Sequence, residues 1–339
     1  MNIKKAIIAT LTISSMLSTL AGPIPAGAEA AQEKQQEQQQ SDGKKVEIDK
    51  KMAAKLHKAV SQFAGKEIKL KDVAENPADD VVEVKSIDGK YSVHFMREFG
   101  LIMSIESETT IDKISKEDQD KVQKALKELY PKKKYVFNKE VRMSQSYDDK
   151  EEKLKDGVSY ALRGKDFSAS LTKNDSSTNV SGIVIYFDKK ELDPKLLKTV
   201  TEAAKTAFDH QIDVTKATLM NSPVLNKGNI TMEPNWLLQD DKVMIYVEVK
   251  TGEVTSIENV QGKKVTTNKG ITEKEAKEAV APLAKELFNI DITGFEVKWD
   301  KRLQDYCFIQ NKVTKVRAAL DADKNVVHIK SGSRAASGN

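Results

Sequence analysis

The chain has a single cysteine, Cys307, among 339 residues. One thiol cannot close an internal disulfide, so any folded part must be held by its apolar core. Histidine is nearly as scarce: His57, His94, His210 and His328 are the full set. No two of them stand at a ligand spacing such as i, i+4, and no H-E-x-x-H pattern occurs, which excludes a metalloprotease centre of that type. A G-x-S-x-G elbow, a phosphate-cradling Walker loop and a G-x-G-x-x-G turn are all missing. A strong basic excess is missing too. The formal net charge is +4, and a nucleic-acid binder would show more positive charge, clustered on one face.

Long apolar runs are confined to the start of the chain. Lys4 and Lys5 precede an apolar stretch from Ala6 to Leu20 that is too short for a stable membrane anchor. Gly22, Pro23 and Pro25 break any helix there, and Ala26-Gly27-Ala28 offers the small-x-small pattern read by a signal peptidase. A signal peptide over 1–28, cleaved after Ala28, is therefore expected. Ala28-Glu29-Ala30 is a second possible site. No cysteine lies near the cleavage region, so no lipid anchor is expected. Removing Lys4 and Lys5 lowers the net charge to +2. Residues 29–45, with Glu33 to Gln40 reading EKQQEQQQ, have almost nothing to bury and form a disordered linker. The remaining length, about 300 residues, suggests more than one core.

Four segments then carry the amphipathic helical period. The first starts at Asp49 and aligns Met52, Leu56, Ala59, Val60 and Phe63 on one face. The second is capped by Ser115, with Asp118 at the capping-box position, and presents Val122, Ala125, Leu126 and Leu129 before Pro131. The third is capped by Asp193 with Pro194 at the first helical position, where a missing N–H costs nothing. The fourth opens on a Thr272/Glu275 capping box and contains Pro282, which should kink it. The starts lie 66, 78 and 79 residues apart.

Strand-like runs follow each helix. They are clearest after the third (Val214–Met220, Asn229–Leu238, Lys242–Lys250, Val254–Asn259) and the fourth (Phe295–Trp299, Leu303–Gln310, Val313–Leu320, Val326–Ile329). The expected fold is α+β: a tandem array of small units, each one helix packed on a four-stranded antiparallel sheet. The units are placed at 46–110, 111–189, 190–267 and 268–332, with a disordered tail at 333–339.

The helix opening Ile271-Thr272-Glu273-Lys274-Glu275-Ala276, and the run Val243–Val249 continued by Lys250-Thr251-Gly252-Glu253-Val254, resemble the PepSY family and the related YcdB/YcdC-type repeats. The last two units match in residues, the first two only in architecture. The resemblance implies an extracytoplasmic, non-enzymatic module of the kind found in protease propeptides and proposed to restrain peptidases.

Isolated candidates read blandly. Cys307 sits among Tyr306, Phe308 and Ile309 and reads as a buried hydrophobe. Asp148-Asp149 and Asp240-Asp241 read as solvated turns, and Lys132-Lys133-Lys134 as a solvated loop. Asp321, Asp323 and Asn325 echo a calcium loop, but Val326 and Gly332 stand where glycine and glutamate are needed. No catalytic, cofactor-binding or metal-ligating set is assigned, and no cofactor is expected. The expected function is a secreted or cell-envelope binding protein that inhibits or chaperones an extracellular peptidase or cell-wall enzyme. Two alternatives remain: a structural protein on anionic wall polymers, and a hydrolase whose site is assembled from distant positions.

Overall fold

A computed structural model describes residues 50–71, 81–226 and 229–332. The signal peptide, its cleavage after Ala28, the linker and the tail at 333–339 lie outside the described residues. In chain order the elements are α1 (Lys50–Ala64), β1 (Val81–Lys85), β2 (Tyr91–Met96), β3 (Leu101–Thr110), α2 (Lys116–Leu129), β4 (Glu140–Asp148), β5 (Lys153–Leu154), β6 (Val158–Gly164), β7 (Phe167–Lys173) and β8 (Thr178–Phe187). They continue with α3 (Pro194–Phe208), β9 (Lys216–Asn226), β10 (Asn229–Gln239), β11 (Val243–Glu248), β12 (Val254–Asn259), α4 (Glu273–Phe288), β13 (Glu296–Asp300), β14 (Asp305–Gln310), β15 (Val313–Leu320) and β16 (Val326–Ser331).

The helices start where local chemistry directs them. Ser115 Oγ accepts the Asp118 N–H, Asp193 accepts the Lys195 N–H with Pro194 next to it, and Thr272 with Glu275 forms a complete capping box. Pro282 lies inside α4, which runs on to Phe288 as one element. Both α3 and α4 end on a left-handed residue, Asp209 and Asn289.

The tandem-unit expectation fails in how the strands pair. They form one sixteen-stranded antiparallel sheet in the order β1-β2-β3-β4-β6-β7-β8-β9-β10-β11-β12-β16-β15-β14-β13, with β5 paired to β4 alone. Among the described residues the strands are not dealt four to a helix: three follow α1 before α2, and five follow α2. At β12 the chain leaves sequence order, and Ser256, Ile257 and Glu258 pair with Lys330, Ile329 and His328 of the last strand. The physical reason is edge satisfaction. A separate four-stranded meander leaves two rows of backbone N–H and C=O groups unpaired, and joining meanders edge to edge removes most of them. Face alternation in sequence reports which side a residue takes, not which strand lies beside it.

By compactness the chain divides into two units. The first comprises residues up to Thr110, Lys139–Tyr160 and Lys173–Ser176; the second comprises Ile111–Asn138, Ala161–Thr172 and everything from Ser177. In the first, Leu56, Ala59 and Val60 of α1 pack on Val82, Val84, Val93, Phe95, Ile102, Ile105 and Tyr147. Burying each large aliphatic side chain there is worth about 1.5–3 kcal/mol. In the second, Val122 and Leu126 of α2, Val200 of α3 and Val280 of α4 are fully buried. Helices α3 and α4 lie on β11, β12, β13, β15 and β16 and on each other.

Candidate functional site

Strand register in the second unit sorts side chains onto two faces. Ile245, Ile257, Ile329 and Ala318 are cross-strand neighbours, completely buried, and Tyr306 continues their row at 1% exposure. The Tyr306 hydroxyl donates to the Ile271 carbonyl just before α4, which marks this as the helix side. Among the described residues the opposite face carries no helix. One row across it runs Thr218, Leu237, Tyr246, Ser256, Lys330, Arg317, Cys307 and Lys298. The next runs Gln239, Met244, Glu258, His328 and Ala319. On β10 and β11 this face carries Leu237, Met244 and Tyr246 between the polar Asn235, Gln239 and Glu248, and on β12–β15 polar and charged groups predominate.

Three polar constellations lie in the second unit. On the helix-free face, Ser256 Oγ is 3.1 Å from His328 Nε2. Burial, then the positive charges of Lys330, Lys264 and Arg317, push the imidazole down to about 4. It is therefore neutral at pH 7 and a weak base. Among the described residues no carboxylate hydrogen-bonds it, so the pair lacks the group that would orient a catalytic histidine.

The second constellation is the Asp300, Asp305 and Cys307 group, whose donor atoms lie within 4.8 Å of one another. The Arg317 guanidinium already fills it. Nε and Nη2 of Arg317 donate to the two Asp305 oxygens at 3.0 and 2.9 Å, and Nη2 also donates to Asp300. Burial opposes the charges, yet these contacts raise the guanidinium above its ordinary value and hold the Asp300 carboxyl below its own. The carboxylates have their counter-ion, so the group is a buried ion pair and not a cation site. Burial raises Cys307, the arrangement of an inert thiol.

The third is His210 with Asp240, 2.7 Å apart. Asp240, read from sequence as a solvated turn, is 5% exposed and accepts the N–H groups of Asp213, Lys242 and Val243. Burial opposes its ionisation, but the His210 contact and the three amides prevail and hold it below the usual carboxylate range. It ties the β10–β11 turn to the end of α3.

The other sequence candidates are structural. Lys133, expected in a solvated loop, donates to the Tyr186 carbonyl at 2.8 Å, pairs with Glu191 and lies 4.3 Å over the Phe187 ring. Asp321 accepts the Asp323 and Asn325 amides and shapes the last hairpin. In the first unit Asp148 accepts the Lys150 and Glu151 amides, Asp149 pairs with Lys55, and His57 Nδ1 lies 3.0 Å from the Ile68 carbonyl. Sequence reasoning missed Ser256–His328, 72 residues apart, and Arg317 with its aspartates. A charged residue set directly against Val316 and the apolar Ala318, Ala319 and Leu320 was the available signal for the latter. Compared with family models, curated proteins and solved structures, the chain matches none. Among the described residues no helix is long and apolar enough to cross a membrane.

Proposed function

We propose that the chain is a secreted or cell-envelope-associated binding protein that engages another extracellular protein, a peptidase or a cell-wall enzyme, and restrains or chaperones it. It acts without catalysis and without a cofactor. The supporting observation is the helix-free face of the second unit, where half-buried Leu237, Met244 and Tyr246 adjoin Ser256, Glu258, His328 and Lys330. An apolar strip bordered by polar groups is the composition of a protein-binding surface. The test is capture from culture supernatant on immobilised protein. A recovered peptidase or wall enzyme that is lost with Met244→Lys/Tyr246→Lys supports the reading. Equal recovery by the variant removes this face from it.

The Ser256–His328 contact favours one alternative, a hydrolase. Turnover of peptide or glycan substrates that disappears in Ser256→Ala would establish it. Unchanged background turnover would leave the binding role.

A further inference from the structure

The sheet order has two ends, and they differ. Outside β1, the Lys71 N–H donates to the Lys85 carbonyl at 2.8 Å, the Ile87 N–H donates to the Lys69 carbonyl at 2.9 Å, and Leu70 bridges Ser86. That end is partly covered. At the other end β13 pairs with β14 in an unbroken register from Glu296↔Ile309 to Asp300↔Asp305. Among the described residues no strand lies on its outer side.

An unpaired edge is a template for another strand, and natural sheets blunt it with proline, a bulge or charges. Strand β13 has no proline and no bulge. Its helix-free side carries Glu296, Lys298 and Asp300, charges that alternate in sign. The Lys298 and Glu296 side chains are 61% and 58% exposed. Val297 is buried on the helix side, and Trp299 packs its ring 4.9 Å from Tyr306.

We propose that β13 is a self-association edge, pairing antiparallel with β13 of a second copy of this chain about a two-fold axis through Val297. Opposed residues must share a face, so two central registers are open to the strand. Centred on Lys298, the pairing sets Lys298 against Lys298, which is repulsive, and Glu296 twice against Asp300, which is already paired with Arg317 and offers it no attraction. Centred on Val297, it sets Glu296 of each copy opposite Lys298 of the other, Val297 opposite Val297, and Phe295 opposite Trp299. The first register is rejected and the second is self-complementary, the form an isologous contact requires. At present Glu296 and Lys298 satisfy each other along the strand at 2.9 Å; in the pair they exchange partners. The Lys277 ammonium holds the Thr293 and Phe295 carbonyls and Phe295 itself is buried, so the new contact rests on the residues from Glu296 onward. The contact is small, well under the roughly 1,200 Å² of a stable complex, so the dimer is expected in the high-micromolar range.

The test is sedimentation equilibrium of the chain from Glu29 onward over a protein concentration series, with circular dichroism to confirm folding. Wild type should shift from monomer to dimer. Glu296→Lys and Lys298→Glu should each weaken the dimer roughly tenfold or more, because each turns both cross-strand pairs repulsive. The double exchange E296K/K298E restores opposite charges at the same positions and should restore dimerisation to within a few-fold of wild type. A wild type that stays monomeric at the highest concentration, single variants that dimerise like wild type, or a folded double exchange that stays monomeric would each overturn the proposal.

Discussion

The two compact units place their charged contacts differently. In the first, the polar contacts of α1 sit at the rim of the core: Lys58 with Glu152, Lys55 with Asp149 and the Gly100 carbonyl, and Gln62 with the Glu152 carbonyl. In the second, charged groups go inside. Asp240 and Asp305 are 5% and 4% exposed, each held by several hydrogen bonds. Rim contacts can be lost one at a time with water taking their place. Interior ones cannot, because the partner left behind is buried without a counter-ion. The difference predicts that the second unit responds steeply to single polar substitutions and to acid, and that the first does not.

The largest effect should come from Arg317→Leu, which strips two carboxylates of their counter-ion beside the buried Cys307. A loss of about 3–5 kcal/mol in denaturant unfolding is expected, against a much smaller loss for Asp300→Asn, which leaves the bidentate Asp305 contact. Equal losses would show that the guanidinium is not the centre of the group.

Acid comes next. His328 has a folded value of about 4, below its ordinary 6.5. The unfolded chain therefore binds a proton first as the pH falls, and stability declines between about pH 6.5 and 4. The expected decline is at most about 3 kcal/mol. Asp240 is likewise held below its ordinary value, so its contribution is present above about pH 4 and is lost as the pH falls through its folded value. His328→Gln should flatten the upper window and leave the lower one. A variant whose pH profile matches wild type between 6.5 and 4 would break the assignment.

Smaller again is the capping box. Thr272→Ala removes the hydroxyl that receives the Glu275 N–H and should cost about 1 kcal/mol by thermal unfolding. Smallest is Lys58→Ala in the first unit, where the pair is exposed and screened. Its effect should disappear in high salt. A Lys58→Ala loss as large as that of Arg317→Leu would erase the distinction between the units.

What sequence could and could not show follows the range of the forces involved. Ser115, Asp193-Pro194 and Thr272/Glu275 act within one turn, so helix starts were legible. Alternation fixed a face, so Val254–Asn259 and Val313–Leu320 were placed as strands with the bounds the structure has. Partner choice was not legible: β12 meets β16 across 72 residues, and no local pattern in either strand names the other. For the same reason four separate meanders were expected where one sheet exists. The polar ties were hidden because Asp240-Asp241 looks like any acidic turn, and only the three amides and His210 converging on Asp240 show that it is buried.

The claim on which the rest depends is that the last strand closes onto β12 and so builds the helix-free face. It can be read directly by cross-linking Glu258→Cys with His328→Cys in a Cys307→Ala background. Cross-strand neighbours lie about 4.5–5.5 Å apart between Cα atoms, within the span of a disulfide. Rapid, intramolecular closure under mild oxidation, with the circular dichroism unchanged, is the predicted result. Failure to close in a folded double variant, or closure only after denaturation, would contradict the single-sheet account.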